Sequence, residues 1–116
     1  NLFRSEDPLF ISRMKKYLDG KCAFVLDIKQ AVRAGKNPFA MCDAMGDRLV
    51  HVHINDNMPG KDCLLPGRGD MDYNLLKQKL QNFGYNGDLI IEVYRKNFIE
   101  MNELKIAKNV VDALVK

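Results

Sequence analysis

Three short apolar runs in this chain each lead to a side chain that can bind a metal or move a proton. Cys22-Ala23-Phe24-Val25-Leu26 closes on Asp27. Leu49-Val50-His51-Val52-His53-Ile54 carries His53 close to its end, and the run from Asp88 to Tyr94 contains Glu92. Two carboxylates and one imidazole form a mixed oxygen–nitrogen donor set that suits Mn²⁺, Co²⁺, Zn²⁺ or Mg²⁺ and leaves positions open for substrate oxygens. Such an ion can polarise a carbonyl or hold an enediolate while a carboxylate moves a proton. One carboxylate at a strand end is ordinarily a helix cap or loop anchor. Three donors at matching places on consecutive strands are a more specific signal.

His51 and His53 are the only histidines, and strand alternation gives them one shared face. His53, nearer the strand end, is read as a metal ligand against the alternative of a core histidine bonded locally. His51, two residues deeper, is read as a packing or supporting residue.

The elements that must position these groups alternate along the chain. Pro8 to Leu18 reads as a helix with Asp7 as its cap and Leu9, Phe10, Met14, Tyr17 and Leu18 as its apolar face. A second helix is expected from Gln30, broken at Gly35 and resumed from Pro38 to Met45, with Gly46 as its stop. Asp72 can cap a helix from Tyr73 to Phe83, with Leu75, Leu76, Leu80 and Phe83 inward. A last helix runs from about Met101 to Val115 on a stripe of Leu104, Ala107, Val110, Val111 and Leu114. Runs apolar on both faces, alternating with helices, imply parallel βαβ units with right-handed crossovers. The stretch from Asn57 to Gly69, rich in glycine and proline, reads as a functional loop, being long for a strand–helix joint.

At 116 residues, 47% hydrophobic and 28% charged, the chain suits one globular unit with a modest core. No apolar run approaches the roughly 20 residues of a membrane span, and the start at Asn1 lacks the apolar core of a signal peptide. Three cysteines without a CxxC pair point to reduced thiols and a cytoplasmic setting. The net charge of +3 is scattered rather than gathered in a stripe, which disfavours nucleic acid as the main partner.

An ordered series of motifs resembles a known family. These are Phe24-Val25-Leu26-Asp27-Ile28-Lys29-Gln30-Ala31 with Gly35, His51-Val52-His53-Ile54-Asn55-Asp56, Leu65-Pro66-Gly67-Arg68-Gly69, Gly84-Tyr85-Asn86-Gly87, and Ile91-Glu92-Val93. Together they resemble the sugar phosphate isomerase/epimerase family, the xylose-isomerase-like TIM barrels, which also include type IV AP endonucleases. The resemblance implies an α/β fold in which residues 1–116 form a single partial barrel domain. The three runs would be strands six to eight of an eight-stranded barrel, preceded by the helix after strand five. It assigns the metal to Asp27, His53 and Glu92, and gives Glu92 a second role as a base. A fourth ligand, a glutamate ending strand five, would lie just before Asn1. Several relatives carry a substrate-contacting histidine where this chain has Gln30. The endonucleases carry an Asp-x-His pair where it has Lys61-Asp62-Cys63, which argues against a trinuclear DNA-repair site.

A barrel of this type takes roughly 200 residues or more, so the chain is read as the C-terminal portion of a parent enzyme. Open sheet edges are expected to favour self-association. The leading reading is a divalent-metal-dependent sugar or sugar-phosphate isomerase or epimerase. An AP-endonuclease-type phosphodiesterase and a non-catalytic half-barrel that binds a partner chain are the alternatives. Arg68 is a candidate for a phosphate or sugar hydroxyl, against a solvated loop charge. Lys29 either contacts substrate or pairs with a carboxylate. Gln30 is a further candidate substrate contact, and Asp56 with Asn55 binds substrate or caps the loop. Arg68-Gly69-Asp70 spells an adhesion tripeptide, but nothing else in the chain suggests secretion.

Overall fold

A computed structural model describes residues 7–19 and 21–115. Its helices are α1 (Pro8–Tyr17), α2 (Ile28–Arg33), α3 (Pro38–Met45), α4 (Tyr73–Asn82) and α5 (Met101–Asp112). Its strands are β1 (Phe24–Asp27), β2 (Leu49–Ile54), β3 (Asp56–Met58), β4 (Lys61–Leu64) and β5 (Asp88–Ile91). The three expected apolar runs become β1, β2 and β5, joined in that order as one parallel sheet.

Strand alternation divides the residues of that sheet between two environments. Leu26, Val52 and Ile54 are fully buried and pack with Ile28, Met41, Leu76, Leu80 and Val111 of the helical layer. On the opposite face Val25 is 49% and Ile90 47% exposed, and His51 and His53 are half-buried. The sheet is therefore covered by helices on one face only. The apolar character of its second face is that of a surface meant to be covered.

Two helix starts follow the caps read from the sequence, Asp7 and Asp72, and α3 has a further N-cap, Asn37, that the sequence reading does not include. Asp7 accepts from Leu9 N at 3.0 Å, Asn37 from Phe39 N at 2.8 Å, and Asp72 from Leu75 N at 3.0 Å. The apolar face of α1 differs from expectation. Ile11 is its buried residue, whereas Leu9, Tyr17 and Leu18 are exposed. The helix packs on α3 through the phase that carries Ile11 and Lys15, and Lys15 Nζ reaches Met45 O at 3.3 Å. Tertiary docking, rather than the number of apolar residues, selects the face. The stripe on α5 agrees better, with Ala107 and Val111 buried and Leu114 buried just beyond the helix.

The expected loop after β2 contains a hairpin. β3 and β4 pair antiparallel about Pro59-Gly60, and Gly60 adopts φ 78°, a turn conformation that favours glycine. Beyond it the chain folds around Asp56, which is fully buried. Its carboxylate accepts from Asn57 N at 2.8 Å, Gly67 N at 2.9 Å and Met71 N at 3.0 Å. Gly69 lies against the same carboxylate and the Asn57 backbone so closely that a Cβ would collide with both. The glycines of this segment thus allow the backbone to close around a buried carboxyl group.

Cys22, Cys42 and Cys63 are free, and burial pushes the Cys42 thiol up to about 11. Among the described residues no helix is long and apolar enough to cross a membrane.

Asp56→Ala would leave three backbone N–H groups without their shared acceptor in a dry interior. It is expected to destabilise the fold by about 2–4 kcal/mol, read as a lowered midpoint in urea unfolding.

Candidate metal centre

The parallel register brings the three sequence-selected donors to one end of the sheet. Asp27 pairs with His53 across β1 and β2, and His53 pairs with Ile90 across β2 and β5. Glu92 continues the line, its N–H donating to Ile54 O at 3.0 Å. Because Glu92 is two residues beyond Ile90, its side chain returns to the histidine face.

His53 Nδ1 sits 3.1 Å from Glu92 Oε2 and 3.6 Å from Asp27 Oδ2. One ligand atom from each of the three residues lies within 4.8 Å of the others. Donors around one ion with bonds near 2.1 Å stand on the order of 3–4 Å apart, so the set fits a divalent cation with small side-chain adjustments. Binding through Nδ1 requires that atom's lone pair, which places the ring proton on Nε2. The O₂N donor set is chemically suited to Mn²⁺, Co²⁺, Zn²⁺ or Mg²⁺.

Each carboxylate is held by its second oxygen. Asp27 Oδ1 accepts from Gln30 N at 3.1 Å and so caps α2, leaving Oδ2 toward His53. The ordinary role of a strand-end carboxylate and the ligand geometry therefore coexist in one residue. Glu92 Oε1 lies 2.8 Å from Lys29 Nζ, leaving Oε2 toward His53. The hydrogen bond from Lys29 is the main force holding the Glu92 carboxyl below the usual carboxylate range, against the opposing effect of burial. Glu92 in turn is the main cause of the raised Lys29 ammonium. Both shifts describe the same ion pair, which keeps Glu92 anionic at neutral pH.

The remaining candidates occupy varied positions. Lys29 is in the cluster, paired with a carboxylate. Gln30 is exposed and contributes its backbone N–H to the cap on Asp27. Asp56 belongs to the interior of the glycine loop. Arg68 reaches Glu103 at the start of α5, at 2.9 Å, and is half exposed. The His51 ring lies edge-on to His53, with centroids 5.0 Å apart. Asn55 is fully buried, and neither its Oδ1 nor its Nδ2 has a hydrogen-bond partner among the described residues.

A second cluster beside the donors escaped sequence reading. Arg33 grips Asp62 through Nε at 2.6 Å and Nη2 at 3.2 Å, and Nη2 also donates to the Tyr94 hydroxyl at 2.6 Å. The guanidinium holds the Asp62 carboxyl below its usual range. Arg33 and Asp62 are distant in sequence and lie in no motif. The parity of Tyr94 with Glu92 was the available clue. Where the resemblance would set Asp-x-His, the chain has Lys61 and buried Cys63 on either side of this Asp62, and Cys63 Sγ lies 3.4 Å from Glu92 O.

The chain belongs to the xylose isomerase-like TIM barrel family, whose model matches residues 11–116. Its three parallel strands and their helices form part of such a barrel. It is 34% identical over 89 residues to uncharacterized proteins of Mycobacterium bovis and Mycobacterium tuberculosis, covering 74% of this chain and 32% of each relative. A solved structure titled a D-tagatose 3-epimerase-like protein superposes with a TM-score of 0.62 at 25% identity. It covers 80% of this chain and 34% of its own. The chain thus spans about a third of the length of the proteins it matches.

Replacing His53 by Ala should weaken Mn²⁺ binding about tenfold or more, measured by calorimetry or by loss of the free-ion EPR signal. Lys29→Met should do the opposite, tightening Mn²⁺ by about threefold or more, because it removes a competing cation from Glu92.

Proposed function

We propose that this chain supplies the last three strands, and three of the metal ligands, of a divalent-metal-dependent sugar isomerase or epimerase. Residues 1–116 would act as one partial barrel domain whose other strands continue from the open edges at β1 and β5. The observation that carries the reading is the convergence of Asp27, His53 and Glu92 at the ends of three adjacent parallel strands. Family membership and the epimerase-like structural neighbour support the reaction class. Active sites of this barrel architecture lie at that end of the strands.

Asp27, His53 and Glu92 would hold the ion, which when bound supplies stabilisation of negative charge on a substrate carbonyl oxygen. Glu92 enters the reaction as a carboxylate because Lys29 keeps it ionised. It accepts a proton from the carbon next to the carbonyl, and the C–H electron pair moves into the C–C bond as the carbonyl oxygen takes the charge. Return of the proton to the former carbonyl carbon, with the adjacent hydroxyl proton passing to the former carbonyl oxygen, completes an isomerisation. Delivery of a proton to the original carbon from the opposite face by a second acid group, while Glu92 keeps the one it took, completes an epimerisation. Lys29 holds the Glu92 carboxylate through Oε1, which limits its freedom to turn away.

The half-exposed Val25, Val50 and Ile90, with the two outer strands, support pairing with further sheet, either the rest of a barrel or a second copy of the chain. The small-molecule reading is favoured over phosphodiester cleavage by Lys61 and buried Cys63, which stand where the endonucleases carry the two ligands of Asp-x-His.

Incubating the protein with Mn²⁺ and a panel of ketoses and aldoses in D₂O should place deuterium on the carbon next to the carbonyl of its substrate, seen by NMR. Glu92→Gln should slow that exchange by about 10²–10⁴ while the protein remains folded. Exchange that survives at the original rate in Glu92→Gln would sink the assignment of the base.

A further inference from the structure

The three strands that deliver the ligand donors also lead to a second trio. Arg33 ends α2, the helix that Asp27 caps. Asp62 lies in β4, in the hairpin that follows β2 and His53. Tyr94 lies two residues beyond Glu92. One guanidinium joins all three segments. Arg33 Nε and Nη2 hold the two carboxylate oxygens of Asp62 at 2.6 and 3.2 Å, and Nη2 donates to the Tyr94 hydroxyl at 2.6 Å. The guanidinium carbon also stands 5.4 Å from the centroid of the Tyr94 ring, within the range of cation–π attraction.

We propose that Arg33 is a positioning residue for the donor set, a clamp that fixes the spacing of Asp27, His53 and Glu92 by tying together the segments that follow them. The inference rests on the metal-enzyme reading for the ion and adds the device that holds its ligands.

Three observations argue for it. Asp27 is the last residue of β1, and Glu92 lies one residue beyond β5. Strand pairing stops at these positions, so the segments beyond them decide where the two carboxylates stand. Each contact of the guanidinium falls on the segment that leaves a donor-bearing strand, and a single side chain reaches all of them. Exposure is the second observation. The Arg33 side chain is 42% and that of Asp62 25% exposed, and an ion pair so open to water adds little to global stability. The third is the space around the pair. Cavities of about 450 and 260 Å³ are both lined by Arg33, Gly60, Lys61 and Asp62. Packing between the hairpin tip and the end of α2 is therefore thin, and the ion pair spans the gap. A planar fork with fixed donor directions suits this bridging task, and partners that orient metal ligands raise metal affinity without touching the ion.

The test combines amide hydrogen exchange of the metal-free protein, read by NMR, with calorimetric titration of Mn²⁺. Arg33→Ala should speed exchange by about threefold or more at Gln30, whose N–H bonds Asp27, and at Glu92, whose N–H bonds Ile54. Val52, in the middle of the sheet, should keep its protection. The same variant should bind Mn²⁺ about threefold or more weakly. Charge alone predicts the reverse, because the substitution removes a cation from beside a cation site and leaves Asp62 without its partner. Arg33→Lys should weaken Mn²⁺ as well, since an ammonium keeps the charge but lacks the planar fork. Adding Asp62→Asn to Arg33→Ala should change the exchange rates little further, as expected of two partners in one contact. Tighter or unchanged Mn²⁺ binding in Arg33→Ala overturns the clamp. So does unchanged exchange at Gln30 and Glu92, or faster exchange that includes Val52, which marks a general loss of stability. If the wild-type protein binds no Mn²⁺ while exchange at these two amides responds, the metal-enzyme reading alone fails and the clamp stands.

Discussion

The parallel register of β1, β2 and β5 governs the position of each candidate ligand. Asp27 stands opposite His53, and Glu92 is carried one step past the Ile54–Ile91 pair by its backbone bond to Ile54. Side chains alternate between faces, so a slip of one residue in β1 would turn Asp27 into the helical layer and bring Leu26 out. The same slip would bury a carboxylate without a partner and expose a leucine that is now fully covered. The apolar contacts of Leu26, Val52 and Ile54 with the helices therefore fix the register, and the register fixes how Asp27, His53 and Glu92 meet. Stability and chemistry are coupled through one set of strand pairings.

Around that sheet, electrostatics does the local positioning. Asp56 gathers the glycine segment by accepting from three backbone N–H groups, Arg33 ties the end of α2 to the hairpin through Asp62, and Lys29 braces Glu92. These anchors lie on the same end of the sheet as the donor atoms. Irregular backbone there is held by charged groups with defined partners. A loop held this way can present side chains to a ligand with less ordering on binding.

The strands and most helices were readable in the sequence because their signals are local. Asp72 and Asp7 sit where helix caps belong, and the three apolar runs have strand length. The donor set was readable for the same reason, each member being close to the end of its own run. What escaped reading depends on contacts between distant segments. The β3–β4 hairpin is too short for alternation to emerge, and Cys63 at φ 55° gives no warning in its residue type. The buried face of α1 is chosen by α3, which no count of apolar residues in α1 can foresee. The Arg33–Asp62–Tyr94 group joins three segments that only folding assembles. Asp56 was visible as a polar residue beside a loop, but its burial follows from the glycines that close over it.

The double duty of Asp27 has an entropic consequence. Its Oδ1 is bound to the first turn of α2, so the side-chain torsions of this carboxylate lose their freedom when the helix forms. Any ion or polar group that meets Oδ2 finds a donor whose orientation is already determined. A free aspartate on a mobile loop would have to be immobilised at the moment of binding, and the affinity would fall by that amount. Here the ordering belongs to folding, and the cap that ends β1 and starts α2 acts as the orienting device for the site.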